Sequence, residues 1–253
     1  MVPIIRMSIE AQHLLLLLNW MSPAFPTGAF AYSHGLEGAI DNGHITDAAQ
    51  LGDWIADLIT RGSGWNDAVL FARCFTDDAE ELNELALALA SSKERYLETT
   101  QLGRSFAIAA SVFVDCPHPP FGHILPSYGR EKAQSQVPSP VAKPWEKVPK
   151  ADEGLLAYSI AAGTACAAMG IDNSHALLAY LQGFCAALTS VAVRLVPLGQ
   201  TAGLEVLRDL MPVISSTAAR ATAATLGDLG AITLSADIAA MKHETQGSRV
   251  FRT

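Results

Sequence analysis

Positive charge is scarce in this 253-residue chain: 17 Lys and Arg against 25 Asp and Glu leave a net charge of -8. A sequence-independent grip on a nucleic-acid backbone or an anionic membrane needs clustered cations, so neither is an expected partner. Cysteine is scarce too, with 4 in the whole chain, which excludes a disulfide framework. Cys74, Cys116, Cys166 and Cys185 sit mostly within apolar helical patterns, as buried reduced thiols do. Only 17% of residues are charged whereas 50% are hydrophobic, which excludes a disordered chain and requires a sizeable core. No stretch approaches ~20 strongly apolar residues, so no membrane-spanning helix is expected. Arg6, the run 14–18 and Ala29-Phe30-Ala31 imitate a signal peptide, but Glu10 and His13 interrupt its entrance and Pro23 and Pro26 break it. The expectation is a soluble cytoplasmic protein.

Catalytic motifs are equally absent. There is no Gly-x-x-x-x-Gly-Lys phosphate loop, no His-Glu-x-x-His, no Gly-x-Ser-x-Gly and no Cys-x-x-Cys. An enzyme is not indicated, and no cofactor is expected. Nor is there an alternating β-branched run long enough for a sheet, or an internal repeat.

What is present is helical periodicity, and the fold class it predicts is all-α. Residues 46–61 place Leu51, Trp54, Ile55, Leu58 and Ile59 on one face, with Thr46 as the candidate cap and Gly62 as the stop. Further helices are predicted from Asn66 (Val69, Leu70 and Phe75 inward), over 78–90 (Leu82, Leu85 and Leu89 inward) and from Ser92 through Phe106 to Ala110. In the last of these Gly103 between apolar neighbours predicts a close helix crossing. Helical pattern returns over 152–169, closes at Gly170, and restarts after Asn173 and Ser174 with Leu177, Leu181, Phe184, Leu188 and Val191 inward. Two shorter helices are predicted over 201–210 and 213–225. Between these halves, residues 115–150 hold eight prolines, from Pro117 to Pro149, and read as a long loop or insertion in one all-helical domain.

Four segments stand out chemically. Cys116, His118 and His123 are soft and borderline metal ligands in the Pro-rich stretch, without fixed ligand spacing; ordinary loop residues are the plainer reading. Residues 22–37 (SPAFPTGAFAYSHGLE) bend the chain after the first helix, with Thr27 or Ser33 as caps and Phe25 and Phe30 expected in the core. Arg194, in the apolar sequence VRLVPLGQ, must find a carboxylate or carbonyl partner or reach a surface. The C-terminus, residues 241–253, is a basic tail with one large aromatic, Phe251. Such a tail either frays or folds on a partner.

Three of these segments together resemble the UreF family of urease accessory proteins. The likeness rests on Ser-Pro-Ala-Phe-Pro-x-Gly-x-Phe-x-Tyr-Ser-His-Gly-Leu-Glu at 22–37, Arg-Leu-x-Pro-Leu-Gly-Gln at 194–200 and Met-x-His-Glu-Thr-x-x-Ser-Arg-x-Phe-Arg at 241–252, in that order. A weaker correspondence covers 94–103. Lys242, Gly247 and Leu204 depart from the family pattern. The resemblance implies an all-α, non-enzymatic, dimeric protein that bridges a UreD-type (UreH-type) scaffold and the GTPase UreG, in an assembly that delivers nickel to apo-urease. It implies that Lys242, His243, Glu244, Ser248, Arg249, Phe251 and Arg252 belong to a tail that is mobile alone and folds against partners. It also implies that Phe30, Tyr32, His34 and Glu37 form a surface that the GTPase meets, with Arg194 and Gln200 structural. Two alternatives stay open: a GTPase-activating protein with Arg249 as its finger, and a direct nickel carrier using Cys116, His118 and His123.

Overall fold

The computed structural model describes residues 9–113 and 155–252, and every regular element among them is helical. Cys116, His118, His123 and the Pro-rich segment lie outside the described residues. In chain order the helices are α1 Ala11–Trp20, α2 Leu36–Asp41, α3 Ala48–Arg61, α4 Ser63–Arg73, α5 Ala79–Ala88, α6 Lys93–Ala110, α7 Tyr158–Ala168, α8 Asn173–Leu195, α9 Gly199–Ala223 and α10 Leu234–His243. α4 and α8 form the centre. α8 packs against α1, α2, α3, α4, α7 and α9, and α4 against α3, α5, α7, α8 and α9. By length and composition α8 is apolar enough to cross a membrane, contrary to the sequence expectation, and half of its most apolar window is buried inside this bundle.

The sequence periodicity explains most of these elements. In α3, Leu51, Ile55, Leu58 and Ile59 are buried as expected, while Trp54 sits only half-buried and stacks on His44. The cap is Asp47, whose carboxylate accepts from Gln50 N, and Thr46 instead donates to the Gln50 side chain. Asp172 likewise caps α8 in place of Asn173 or Ser174. The largest correction is α9. Val206, Leu210, Ile214, Thr217, Ala218 and Ala221 keep one buried face across Pro212, so a single 25-residue helix replaces the two predicted ones. Pro212 removes one backbone donor on the exposed side, and that continuous buried face outweighs the loss.

Gly103 is the close crossing its neighbours suggested. A Cβ there would lie 2.0 Å from the Leu156 carbonyl oxygen, a backbone atom that cannot swing aside. Gly103→Ala should therefore force α6 away from α7 and cost ~3 kcal/mol, the upper part of the overpacking range. Chemical denaturation of the purified variant checks this, and an unchanged midpoint would mean that the crossing has room for a methyl group.

Two buried asparagines set what lies at the ends of the bundle. Asn83 donates to Leu155 O and accepts from Ala157 N, fixing the chain where it enters α7. Asn66 donates to Ala231 O and accepts from Gly230 N and Ala231 N, while Trp65 Nε1 donates to Asp228 O. These bonds anchor the connection from α9 to α10 on α4, and so aim α10 across α2.

Candidate functional site

α10 meets α2 at unusually short range because α2 offers glycines. A Cβ on Gly38 would stand 2.8 Å from Ala239 O, and one on Gly35 3.0 Å from Ala240. Gly35 also has φ +77°, and His34 before it has φ +56°, two successive left-handed residues that turn the 22–37 corner into α2. Ser33 Oγ accepts from Glu37 N and Thr27 Oγ1 from Ala29 N, yet neither is the cap residue: Gly28 and Gly35 stand at the cap positions of the turn 29–31 and of α2, where no side chain caps.

This crossing brings His243, the last residue of α10, between two carboxylates from other helices. The ring is wholly buried, with Nδ1 2.7 Å from Glu94 Oε2 on α6 and Nε2 3.0 Å from Glu37 Oε2 on α2. Each carboxylate then reaches the tail. Glu94 Oε1 pairs with Arg249 Nη1 at 2.7 Å, and Glu37 accepts from Val250 N at 2.7 Å and Phe251 N at 2.9 Å. The tail continues with Arg252 N donating to Ala31 O at 2.8 Å. Phe251 is 4% exposed, and the Arg194 guanidinium lies 4.6 Å above its ring while Nη1 of the same group reaches Phe30 O. Glu244 accepts from Lys93 N at the start of α6, and Lys242 and Ser248 are exposed.

The three segments singled out in the sequence thus form one cluster, and several roles expected of them change. Tyr32, His34 and Glu37 are buried and present no surface. Their side chains point inward because the left-handed turn at His34 and Gly35 rolls the corner into the bundle. Phe30, expected in the core, is instead 72% exposed on the short turn 29–31, and its carbonyl accepts from Arg194. The tail is not a free peptide: Phe251 and the backbone around it are seated on the chain's own body. Arg194 is part of that seat.

Behind this cluster lies a second buried network that the sequence reading missed. His34 Nε2 is 2.6 Å from Ser63 Oγ and its Nδ1 3.5 Å from Glu98 Oε1, and its ring meets Phe184 edge-on at 5.0 Å. Arg95 Nη1 pairs with Glu98 Oε2 at 2.5 Å, and Asp67 stands 3.9 Å from Arg95 Nη2. Burial, and then the Arg95 charge, push the His34 imidazole below its usual value. Burial alone would raise Glu98, but Arg95 and His34 outweigh it and hold the carboxyl down to about 2, whereas burial dominates at Asp67 and raises it. A visible signal existed: Glu94, Glu98, Leu102 and Phe106 recur every four residues, placing two acids on the apolar stripe of α6.

A pH dependence follows from these directions. A histidine whose folded value is depressed contributes stability that is present above pH ~6.5 and lost as pH falls toward the folded value. Glu98 adds a loss lower still, between ~4.5 and about 2, and Asp67 opposes both because its folded carboxyl takes up a proton early. The wild-type melting temperature should fall between pH 7.5 and 5.5. His34→Asn, which tolerates the left-handed backbone, should start lower and show a shallower slope. Parallel slopes would mean that His34 is not the responsible group.

Comparison with known proteins gives the chain its relatives. The UreF family model matches residues 45–211. The urease accessory protein UreF of Brucella ovis is 41% identical over 245 residues, covering 95% of this chain and 94% of its own length. That of Methylobacterium sp. is 41% identical over 246 residues, covering 94% and 88% respectively, and UreF 1 of Brucella anthropi is 40% identical over 245 residues. An all-helical fold, a family match over most of the chain and full-length relatives at this identity lead to one conclusion: the chain belongs to the UreF family of urease accessory proteins.

Proposed function

We propose that this protein is the bridging subunit of a urease maturation complex, a non-enzymatic dimer that links a UreD-type (UreH-type) scaffold to the GTPase UreG while nickel is delivered to apo-urease. The observation that carries this reading is the joint surface built by the 22–37 corner and the tail. Phe30 and Val250 are 72% and 74% exposed on segments tied together by the Arg252–Ala31 hydrogen bond. The Arg249 side chain remains 39% exposed, and Arg194 and Arg252 are also exposed. Acidic groups of the cluster, Glu37 and Glu94, are buried and satisfied from within. Two apolar knobs ringed by guanidinium groups suit an acidic protein surface with an apolar recess, and aromatic and Arg side chains are the usual carriers of interface energy. A surface of this kind serves assembly, and the chain carries none of the nucleotide or catalytic motifs sought in its sequence.

Arg249 as a GTPase-activating finger is the weaker reading, because its guanidinium is already held by Glu94 and would have to break a charge-assisted bond to enter a nucleotide site. The test is complementation. In cells lacking this protein, urease should accumulate without nickel and without activity. The wild-type gene should restore both, and a Phe30→Ala/Arg249→Ala gene should not, at equal protein level. Full restoration by the double variant would remove the joint surface from the proposal.

A further inference from the structure

His34 is held in a backbone conformation that its own chemistry does not favour. Its φ of +56° is left-handed, Gly35 follows at +77°, and Gly28 stands at +78° before the turn 29–31. These residues bound the stretch that carries the exposed Phe30, and a side chain in such a conformation stays there because its surroundings hold it. We propose that His34 is a proton-sensitive latch for the 22–37 corner: neutral, it is held between Ser63 and Glu98 and fixes the turn 29–31 on the bundle, and protonated it lets the corner open. The latch rests on the reading of Phe30 as a partner contact only for its consequence, since the latch itself belongs to the isolated chain.

The contacts set the direction of the switch. An ionised Glu98 only accepts, so the neutral ring carries its proton on Nδ1, facing Glu98 at 3.5 Å, and Nε2 accepts from the Ser63 hydroxyl at 2.6 Å. A second proton would charge a ring that is 4% exposed. From α4 that ring is faced by Ser63 and Asp67, from α6 by Arg95 and Glu98, and from α8 by Phe184. Tyr180, also on α8, interacts with Asp67, Arg95 and Glu98, while on the α2 and α10 side Glu37, Glu94 and His243 pair among themselves. Burial and the Arg95 charge oppose an imidazolium more than Glu98 and Asp67 favour it, so the closed corner prefers the neutral ring. In the open corner His34 meets water and titrates near pH ~6.5. Protons therefore bind the open form more readily, and below pH ~6.5 opening grows by up to about tenfold per pH unit until the closed ring titrates too. Tyr32 Oη on the Gln101 side chain and Phe25 against Phe106 also tie the corner down, but neither titrates between pH 5 and 8. The turn thus presents Phe30 at neutral pH and is displaced in acid.

Amide hydrogen exchange on the isolated full-length protein, with each rate divided by the free-peptide rate at the same pH, tests this. The amides to follow are Tyr32, bonded to Ala29 O, and Leu36, bonded to Ser33 O, with Phe106 and Ala107 in the core of α6 as references. Protection of Tyr32 and Leu36 should fall about tenfold between pH 7.5 and 5.5 and stay at least tenfold below that of the references at both. Unchanged protection would overturn the proposal. So would protection equal to the references, because His34 would then sense only unfolding of the whole chain. In His34→Asn the corner should be less protected at pH 7.5, and its change with pH should shrink to less than about twofold. A tenfold change retained in that variant would assign the proton to another group, such as His243, and remove the latch. Ser63→Ala keeps every charge in place and deletes only the hydroxyl that Nε2 needs. It should lower Tyr32 and Leu36 protection at pH 7.5 at least fivefold while Phe106 and Ala107 stay within about twofold, and unchanged corner protection would refute the latch. All of this is read without a partner, so its failure counts against the latch and not against the joint surface, which complementation tests.

Discussion

A chain ended at Gly247 is expected to melt about 5–10 °C below the full-length protein and to lose its partners as well. Removal of residues 248–253 exposes the seat of Phe251, a side chain whose truncation in a core costs ~3–5 kcal/mol. It also leaves Glu37 and Glu94 each short of tail partners. Against this, folding no longer has to order the five residues 248–252, at ~1–2 kcal/mol each. With ~1–3 kcal/mol for each of the three hydrogen bonds lost at Glu37 and Glu94, the midpoints of these ranges leave a net loss of ~2–3 kcal/mol, which at ~2–4 °C per kcal/mol for a chain of this size falls in the range stated. Composition alone suggests the opposite, a frayed basic end whose removal changes nothing. A differential scanning calorimetry trace of the truncated protein that overlays the wild type would show that the tail is not seated on the body.

His243→Ala is expected to be more damaging still. The ring is fully buried between two carboxylates, and leaving a buried acceptor without its hydrogen-bond partner typically costs ~1–3 kcal/mol, more where the group is charged. The alanine removes the partner of both Glu37 and Glu94 and also leaves a cavity at the α2–α10 crossing. A loss of ~10 °C or more in melting temperature is anticipated. Glu37→Gln in the same background should recover part of it by removing one stranded charge, which distinguishes electrostatics from simple cavity formation. Arg208→Ala serves as the control: its partner Asp209 is adjacent and both are exposed, so no measurable change is expected.

How much of this was legible in the sequence depends on the range of the interaction. α3 and its buried face follow from spacing alone, as does the crossing at Gly103, because period and side-chain size are local properties. The caps at Asp47 and Asp172 were each misplaced by one or two positions, since several polar residues at a helix start compete for the same amides. The continuity of α9 was missed because Pro212 is a strong local breaker and the buried face that overrides it is a tertiary fact. The tail is the clearest case. Nothing within residues 241–252 indicates that its amides have partners, because the acceptor is Glu37 at the far end of the chain. The family likeness marked the right segments, yet which of their side chains face outward, Phe30 and Val250 and not Tyr32, His34 or Glu37, is set by the left-handed turn at His34 and Gly35.

That the corner and the tail make one partner surface on a bridging protein is tested most directly by reconstitution from purified components. Size-exclusion chromatography with light scattering on this chain, a UreD-type scaffold and a UreG-type GTPase should give one peak holding all three. Phe30→Ala/Arg249→Ala, folded and melting within a few degrees of wild type, should lose at least one partner from that peak. A double variant that assembles like the wild type, or a scaffold and GTPase that form the same complex without this chain, would contradict the account.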